Sequence, residues 1–320
     1  FALYVSFFPQ LVAGPIERPQ NLLPQIQKKR SMSLERWCRG WELILLGLVK
    51  KVAIADAVAP YVNDIFANPA TYSSWSVLFG AYLFGLQIYG DFSGYTDMAR
   101  GVARLLGFEL MVNFKQPYFS QNVREFWQRW HISLSRWLRD YLYIPLGGNR
   151  SSVLGTCRNL MLVMLLGGLW HGAGWNFIIW GALHGIYLVF YFLYSQRTRK
   201  SCPGKAGWVV QICNIFLTFH LVTLTWIFFR ATYFSGAMDY FRQIFAGVTD
   251  GKHSLEIAQV TLFYFALVLI IDLPMYRKKR EYLLDAKAPP LLNAAIIAGL
   301  VLLLSFVGQQ DVHDFIYFQF

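Results

Sequence analysis

Three histidines set into an apolar, aromatic run are the residues of this chain best suited to chemistry. The stretch Arg129–Gly185 begins RWHISLSRWLRDYLYIPLGGNR and ends LWHGAGWNFIIWGALHG, and it carries His131, His171 and His184. Imidazole titrates near neutrality and is costly to place in hydrocarbon, so a histidine at membrane depth is a functional candidate. A neutral imidazole at His171 could take the proton of a hydroxyl as that oxygen attacks an electrophile. A hydrogen-bonded core histidine would give the same letters, and the residues alone leave both readings open.

Spacing refines the picture. Read as one helix, Glu125–Tyr143 puts Trp127, His131, Ser135 and Leu138 on a single face. Glu125–Arg129 and Arg136–Asp140 then fall at ion-pairing i,i+4 distance. Pro145 and Gly147-Gly148 end regular structure after that helix. Gly167-Gly168 predicts a second break just ahead of His171, with Trp170 and Trp175 flanking it. His184 lies 13 residues after His171, and an unbroken helix would set the two apart around its axis, which suits a supporting polar role. His220, His253 and His313 lack such surroundings. No HExxH, facial triad or Cys/His ligand spacing suggests a metal, and Cys38, Cys157, Cys202 and Cys213 show no CxxC. There is no GxSxG elbow and no P-loop.

Such residues need a body to hold them, and composition says what kind. Of 320 residues, 56% are apolar and 15% charged, and mean hydropathy is +0.37. Soluble domains average roughly 45–50% and 25%. Several apolar runs approach the ~20 residues that cross ~30 Å of hydrocarbon. The expected class is an all-α polytopic membrane protein. The net charge of +11 sits in short loops beside apolar runs, which fits anionic headgroups and cytoplasmic loops and not nucleic acid. Phe1 opens in mid-pattern with no charged region before it, so the numbering is expected to start inside a longer chain.

In chain order, Phe1–Ala13 reads as a helix end or re-entrant turn, and 20–39 as a basic surface segment. Trp41–Val58 is apolar but contains Lys50-Lys51, so it should be shallow or let the lysines snorkel. Trp75–Tyr89 reads as a span that leads into Asp91, Asp97 and Arg100, where Asp97 and Arg100 can pair and the aspartates can line a polar path. Asn113–Asn122 reads as a surface loop and 230–256 as a long connection. Trp208–Phe229, Ile257–Leu273 and Leu291–Val307 are further spans. The basic loops 196–205 and 277–287 predict a cytoplasmic side, and the C-terminus then lies outside.

Taken together, RWHISLS, YLYIPLGG and GLWHGAGWNFIIWGALHG resemble the membrane-bound O-acyltransferase (MBOAT) superfamily, and within it the bacterial alginate O-acetyltransferases. YVSFFPQLVAGPIERP, IYGDFSGYTDMARG, NFKQPYFSQNVREFW, TWIFFRA and FIYFQF extend the likeness from end to end. The resemblance implies a single domain over 1–320, a ring of transmembrane and re-entrant helices around a central tunnel, lacking initial helices. It implies that His171 is the catalytic histidine and His131 its upstream partner, with a further subgroup histidine at His184; the residue pattern itself offers His184, Ser135, Asp91 and Asp97 as supporting polar groups. It further implies an acyl-CoA donor, with acetyl-CoA as substrate and no bound cofactor or metal. Lys115, Arg124, Arg129 and Arg136 are the candidates to meet the donor's phosphates, and positive-inside topology would explain the same residues. The implied location is the bacterial inner membrane, where periplasmic partners complete acetylation of an exported polysaccharide: alginate, or else cellulose or peptidoglycan. Two other classes compete, a transporter that uses the buried histidines and aspartates and a scaffold subunit of an export complex. A transporter predicts an inverted repeat, and the sequence shows none.

Overall fold

The computed structural model describes residues 1–198 and 207–307. Among them are thirteen α-helices and no strand. They form two compact units: residues 1–61, 83–115 and the described part of 260–319, and residues 62–82 with the described part of 116–259.

The first unit holds α1 (Ala2–Val5), α2 (Pro19–Gln27), α3 (Leu34–Leu48), most of α5 (Ser74–Leu105) and α12 (Ser254–Lys278), and α13 (Pro290–Val307). Glycine places α3 and α5. A Cβ on Gly47 would come within 2.5 Å of the Gly94 carbonyl, one on Gly94 within 2.7 Å of the Gly47 carbonyl, and one on Gly101 within 2.6 Å of the Gly40 carbonyl. The paired numbers run in opposite directions, so the helices are antiparallel and touch backbone to backbone, a close approach open only to small residues. After α3 the helix continues as wide π turns, Val49–Asp56, into α4 (Ala57–Ala67). Contrary to the expected snorkelling or shallow segment, Lys50 and Lys51 are taken inward. Lys50 Nζ reaches Asp97 at 2.7 Å, and Lys51 Nζ reaches Asp56 and Asp91 at 2.8 Å each. Partners replace the water that the lysines would otherwise have to reach.

The second unit contains α6 (Val123–Arg129), α7 (Ile132–Leu138), α8 (Val153–His171), α9 (Trp175–Thr198), α10 (Trp208–Arg230) and α11 (Phe234–Phe245). Helices α8 and α9 form an antiparallel hairpin. A Cβ on Gly168 would strike the Phe177 carbonyl, and one on Gly181 the Met164 carbonyl.

Among the described residues five helices are long and apolar enough to cross a membrane: α8, α9, α10, α12 and α13. The span expected over 75–89 is instead the first half of the 32-residue α5, too polar in its second half to join them. The other corrections are local. Residues 113–122 are no surface loop, since Asn113, Gln116, Pro117 and Ser120 are buried around a short 3₁₀ turn. The connection 230–256 contains α11. Gly167-Gly168 does not break α8 but packs inside it; the turn comes four residues later, at Gly172. The basic loop around 199–206 and the tail 308–320, with Cys202 and His313, lie outside the described residues.

Candidate active site

Local sequence explains the segments that surround His171. Asn122 caps α6 by accepting from Glu125 N at 2.9 Å, and the Glu125 side chain accepts from Gln121 N at 2.9 Å, so two otherwise orphaned donors are satisfied. Glu125 also holds Arg129 at 2.7 Å, the pair expected from spacing. The helix expected to run on to Tyr143 ends there. His131 takes left-handed backbone, φ 41° and ψ 56°, and starts α7 afresh; the turns from Arg139 to Tyr143 are π-type. A left-handed non-glycine residue costs about 1–3 kcal/mol, although histidine is among the residues that tolerate it. The kink explains why Trp127, Ser135 and Leu138 still share a cavity while His131 does not line it.

That cavity measures about 430 Å³ and is bounded by α6, α7, the turns after it, α8 and α9. His171, Ser135 and Trp127 line it, as do Arg124, Arg136 and Arg139; leucine, valine and methionine side chains make much of the remaining wall. Such a space suits a ligand with an apolar or thioester portion and an anionic portion.

His171 is the last residue of α8, half-buried, and is framed by rings from three helices. Its own lies 5.0 Å from Trp170, 5.3 Å from Trp180 and 5.0 Å from Phe229. The Asn176 side-chain amide donates to the Ala231 carbonyl at 2.6 Å, tying the start of α9 to the end of α10 beside it. Trp175, expected to flank His171, is 73% exposed; Trp180 takes that place.

His131 is buried, with the Ser133 hydroxyl 3.4 Å from Nδ1. The Trp170 ring lies 6.4 Å from that of His131 and 5.0 Å from that of His171.

His184 is fully enclosed, with Trp180 at 4.9 Å and Trp127 at 5.1 Å. The Thr225 hydroxyl donates to the Val222 carbonyl at 2.7 Å, so it accepts from His184 Nε2 at 2.9 Å. This assigns the Nε2–H tautomer to His184 by its network. His184 and His171 both pack against the Trp180 ring.

The structure thus gathers His171, Ser135, Arg124 and Arg136 into one cavity. Lys115, Arg129 and His184 do not line it, and Asp91 and Asp97 belong to ion pairs of the first unit. Sequence reading missed Arg139, Trp180 and Thr225. Trp180 had a signal, since it stands four residues before His184 on one helix; Arg139 had none that set it apart from other loop arginines. Among the described residues no cluster of three or more His, Cys, Asp or Glu could hold a metal.

Comparison with known proteins fits this arrangement. Residues 1–233 match the model of MBOAT, the membrane-bound O-acyltransferase family. The chain belongs to that family. The matched range contains all three histidines, Thr225 and the whole cavity. Among curated MBOAT relatives, the probable alginate O-acetylase AlgI of Pseudomonas putida is 40% identical over 346 aligned positions, covering all of this chain and 68% of the relative. The protein of the same description from Pseudomonas aeruginosa is 44% identical over 263 positions, 82% of this chain and 48% of the relative. A peptidoglycan O-acetyltransferase of Helicobacter pylori is 44% identical over 243 positions, 74% of this chain and 45% of the relative. The chain thus spans from about half to two thirds of the length of these proteins.

Proposed function

We propose that this chain is the acyl-transferring membrane domain of an inner-membrane O-acetyltransferase acting on an exported polysaccharide. The observation that carries the reading is His171 on the wall of a cavity that also presents three arginines. In the reaction, a His171 ring nitrogen takes the proton of an acceptor hydroxyl. The oxygen then bonds to the thioester carbonyl carbon, the C–S bond breaks, and the imidazolium returns the proton to the departing thiolate. The products are an ester and a thiol, and no redox partner is needed. General-base assistance of this kind contributes ~10²–10⁴-fold. Arg124, Arg136 and Arg139 hold the phosphates of an acetyl-CoA donor, and Ser135 offers a hydroxyl to the bound substrate.

His131 acts on His171 across Trp170, and His184 fixes Trp180 against it. The single family domain covers 1–320, and periplasmic partner proteins complete polymer acetylation. Alginate is the acceptor favoured by the relatives, which also name peptidoglycan and, at lower identity, teichoic acid.

The test is the O-acetyl content of exported polymer in cells lacking the native gene and complemented with full-length wild type, His171→Ala or His131→Ala at matched membrane levels. Loss of acetyl groups with His171→Ala, while polymer is still secreted, is the expected result. Wild-type acetylation with His171→Ala would overturn the assignment and favour a scaffold.

A further inference from the structure

The first unit contains a buried charge cluster that acyl transfer does not use. Asp97 links Lys50 at 2.7 Å and Arg100 at 3.6 Å, Arg100 reaches Glu281 at 2.9 Å, and Lys51 bridges Asp56 and Asp91. Beside it stands Asp272 on α12, only 2% exposed and within electrostatic range of both Lys50 and Asp97. The Tyr89 hydroxyl donates to Asp272 Oδ2 at 2.7 Å, and Oδ1 has no hydrogen-bond partner among the described residues. A crevice of about 10 Å³, bordered by Lys50, Tyr89 and Asp272, adjoins it. That is close to the space needed for one water-sized particle.

The charges do not balance. Lys50, Lys51 and Arg100 face Asp56, Asp91, Asp97, Asp272 and Glu281. Glu281 is 39% exposed and shares its charge with water, yet the buried Asp56, Asp91 and Asp272 together with the half-buried Asp97 still outnumber the three cations. Helix α13 packs on the π turns and brings no titratable side chain. A bare, buried carboxylate oxygen in a cluster short of positive charge is a costly arrangement unless something neutralises it.

We propose that Asp272 and its crevice form a binding site for one small monovalent cation, either a proton shared with a water molecule or a sodium ion. Tyr89 orients the carboxylate, and the cation occupies the Oδ1 side. Asp272 itself lies beyond the family-matched residues 1–233, although Lys50 and Tyr89 lie within them, and its test reads cation-dependent stability, so the acyltransferase reading can fail without it.

The test is thermal unfolding of the full-length protein in lipid nanodiscs, in sodium or N-methylglucamine chloride at equal ionic strength, titrated from about pH 8 to about pH 5. A sodium site shows as a rise of several degrees with sodium at the alkaline end. A proton site shows as a rise on acidification that sodium does not alter. In either case Asp272→Asn removes that step and unfolds near the temperature of the loaded wild type, because its amide carries no charge to neutralise. The proposal is overturned if wild type responds to neither ion, or if Asp272→Asn keeps the wild-type response. Should Asp272→Asn fail to fold, Tyr89→Phe decides. Loss of its hydroxyl destabilises the bare carboxylate, so the midpoint should move at least threefold toward tighter cation binding; an unmoved midpoint counts against the site.

Discussion

Replacing the three cavity arginines by glutamine separates a donor-binding wall from ordinary positive-inside charge. Arg124, Arg136 and Arg139 all line the cavity, and all three are exposed. Arg139 already holds Asp140 at 2.7 Å. A hydrogen bond to a desolvated charge is worth about 1.5–3 kcal/mol, whereas exposed ion pairs give about 0.2–1. Since water reaches these guanidiniums, we take about 1 kcal/mol each, roughly fivefold in KM for acetyl-CoA. The triple variant then reaches roughly 150-fold as an upper bound, because groups that share one ligand do not add independently. The contacts lie away from the reacting carbonyl and are made equally before and at the transition state, so kcat should hold while KM rises.

The assay is initial rate against acetyl-CoA with the purified full-length protein and its acceptor. Arg129→Gln is the control: Arg129 pairs with Glu125 and does not line the cavity, so its KM should stay within about twofold. A short acetyl thioester without phosphates should be used equally by wild type and the triple variant. High salt should shrink the difference seen with acetyl-CoA. The reasoning is refuted if the triple variant keeps a wild-type KM, or if Arg129→Gln raises KM as much as the cavity variants do.

Three further outcomes are expected. Gly181→Ala drives a Cβ into the backbone carbonyl of Met164, which has no rotamer to escape through; it should cost about 1–3 kcal/mol of stability, read as a lower unfolding temperature. Thr225→Val leaves the buried His184 N–H without an acceptor and should cost about 1–3 kcal/mol; an unfolding temperature equal to wild type would count against the assigned tautomer. In the loop between α12 and α13, the hydrogen bond from Arg280, then that from the Lys287 amide, holds the Asp285 carboxyl well below the usual range. A depressed folded value stabilises above the ordinary carboxylate value near pH 4 and is lost as pH falls below it. Intrinsic-rate-corrected amide exchange at Asp285 and Lys287 should therefore be slow at neutral pH and rise only in strong acid.

Much of this molecule was legible in its letters. Apolar run length located α10, α12 and α13, since a stretch such as Trp208–Phe229 has no soluble use, but it did not mark α8 and α9 within the histidine-bearing stretch. Family likeness pointed through LWHG to His171, which lines the cavity, and through RWHIS to His131, which does not. What stayed hidden was the position of each break. Gly167-Gly168 looked like a stop because glycine is common at helix ends, yet a helix face that touches another backbone also demands glycine. Local sequence does not separate the two; only the partner, Phe177 and Gly181 across the hairpin, does. His131 failed the other way. Nothing in its letters forbids a helix, and its left-handed backbone is imposed by the packing around it.

Both kinds of error concern the same physical question, which is how irregular or charged backbone is tolerated at membrane depth. Where hydrocarbon offers no hydrogen bonds, such a feature persists only against protein or in a wet cavity. Lys50 and Lys51 looked like candidates for snorkelling because sequence shows the charge and not the partner; Asp97 and Asp91, 40 or more residues away on α5, hold them together with the nearby Asp56. The π turns that carry these lysines and those that carry Arg139 repeat one device, a locally widened helix that turns a polar side chain out of the regular apolar phase. In one unit the result is a buried charge cluster, and in the other a cavity wall with a guanidinium. Irregular helix in this chain is therefore one of the places where polar groups are admitted, beside those that regular α5 and α12 carry. A substitution that restores regular α-helix at Val49–Asp56 or Arg139–Tyr143 should act on those polar groups before it acts on the fold.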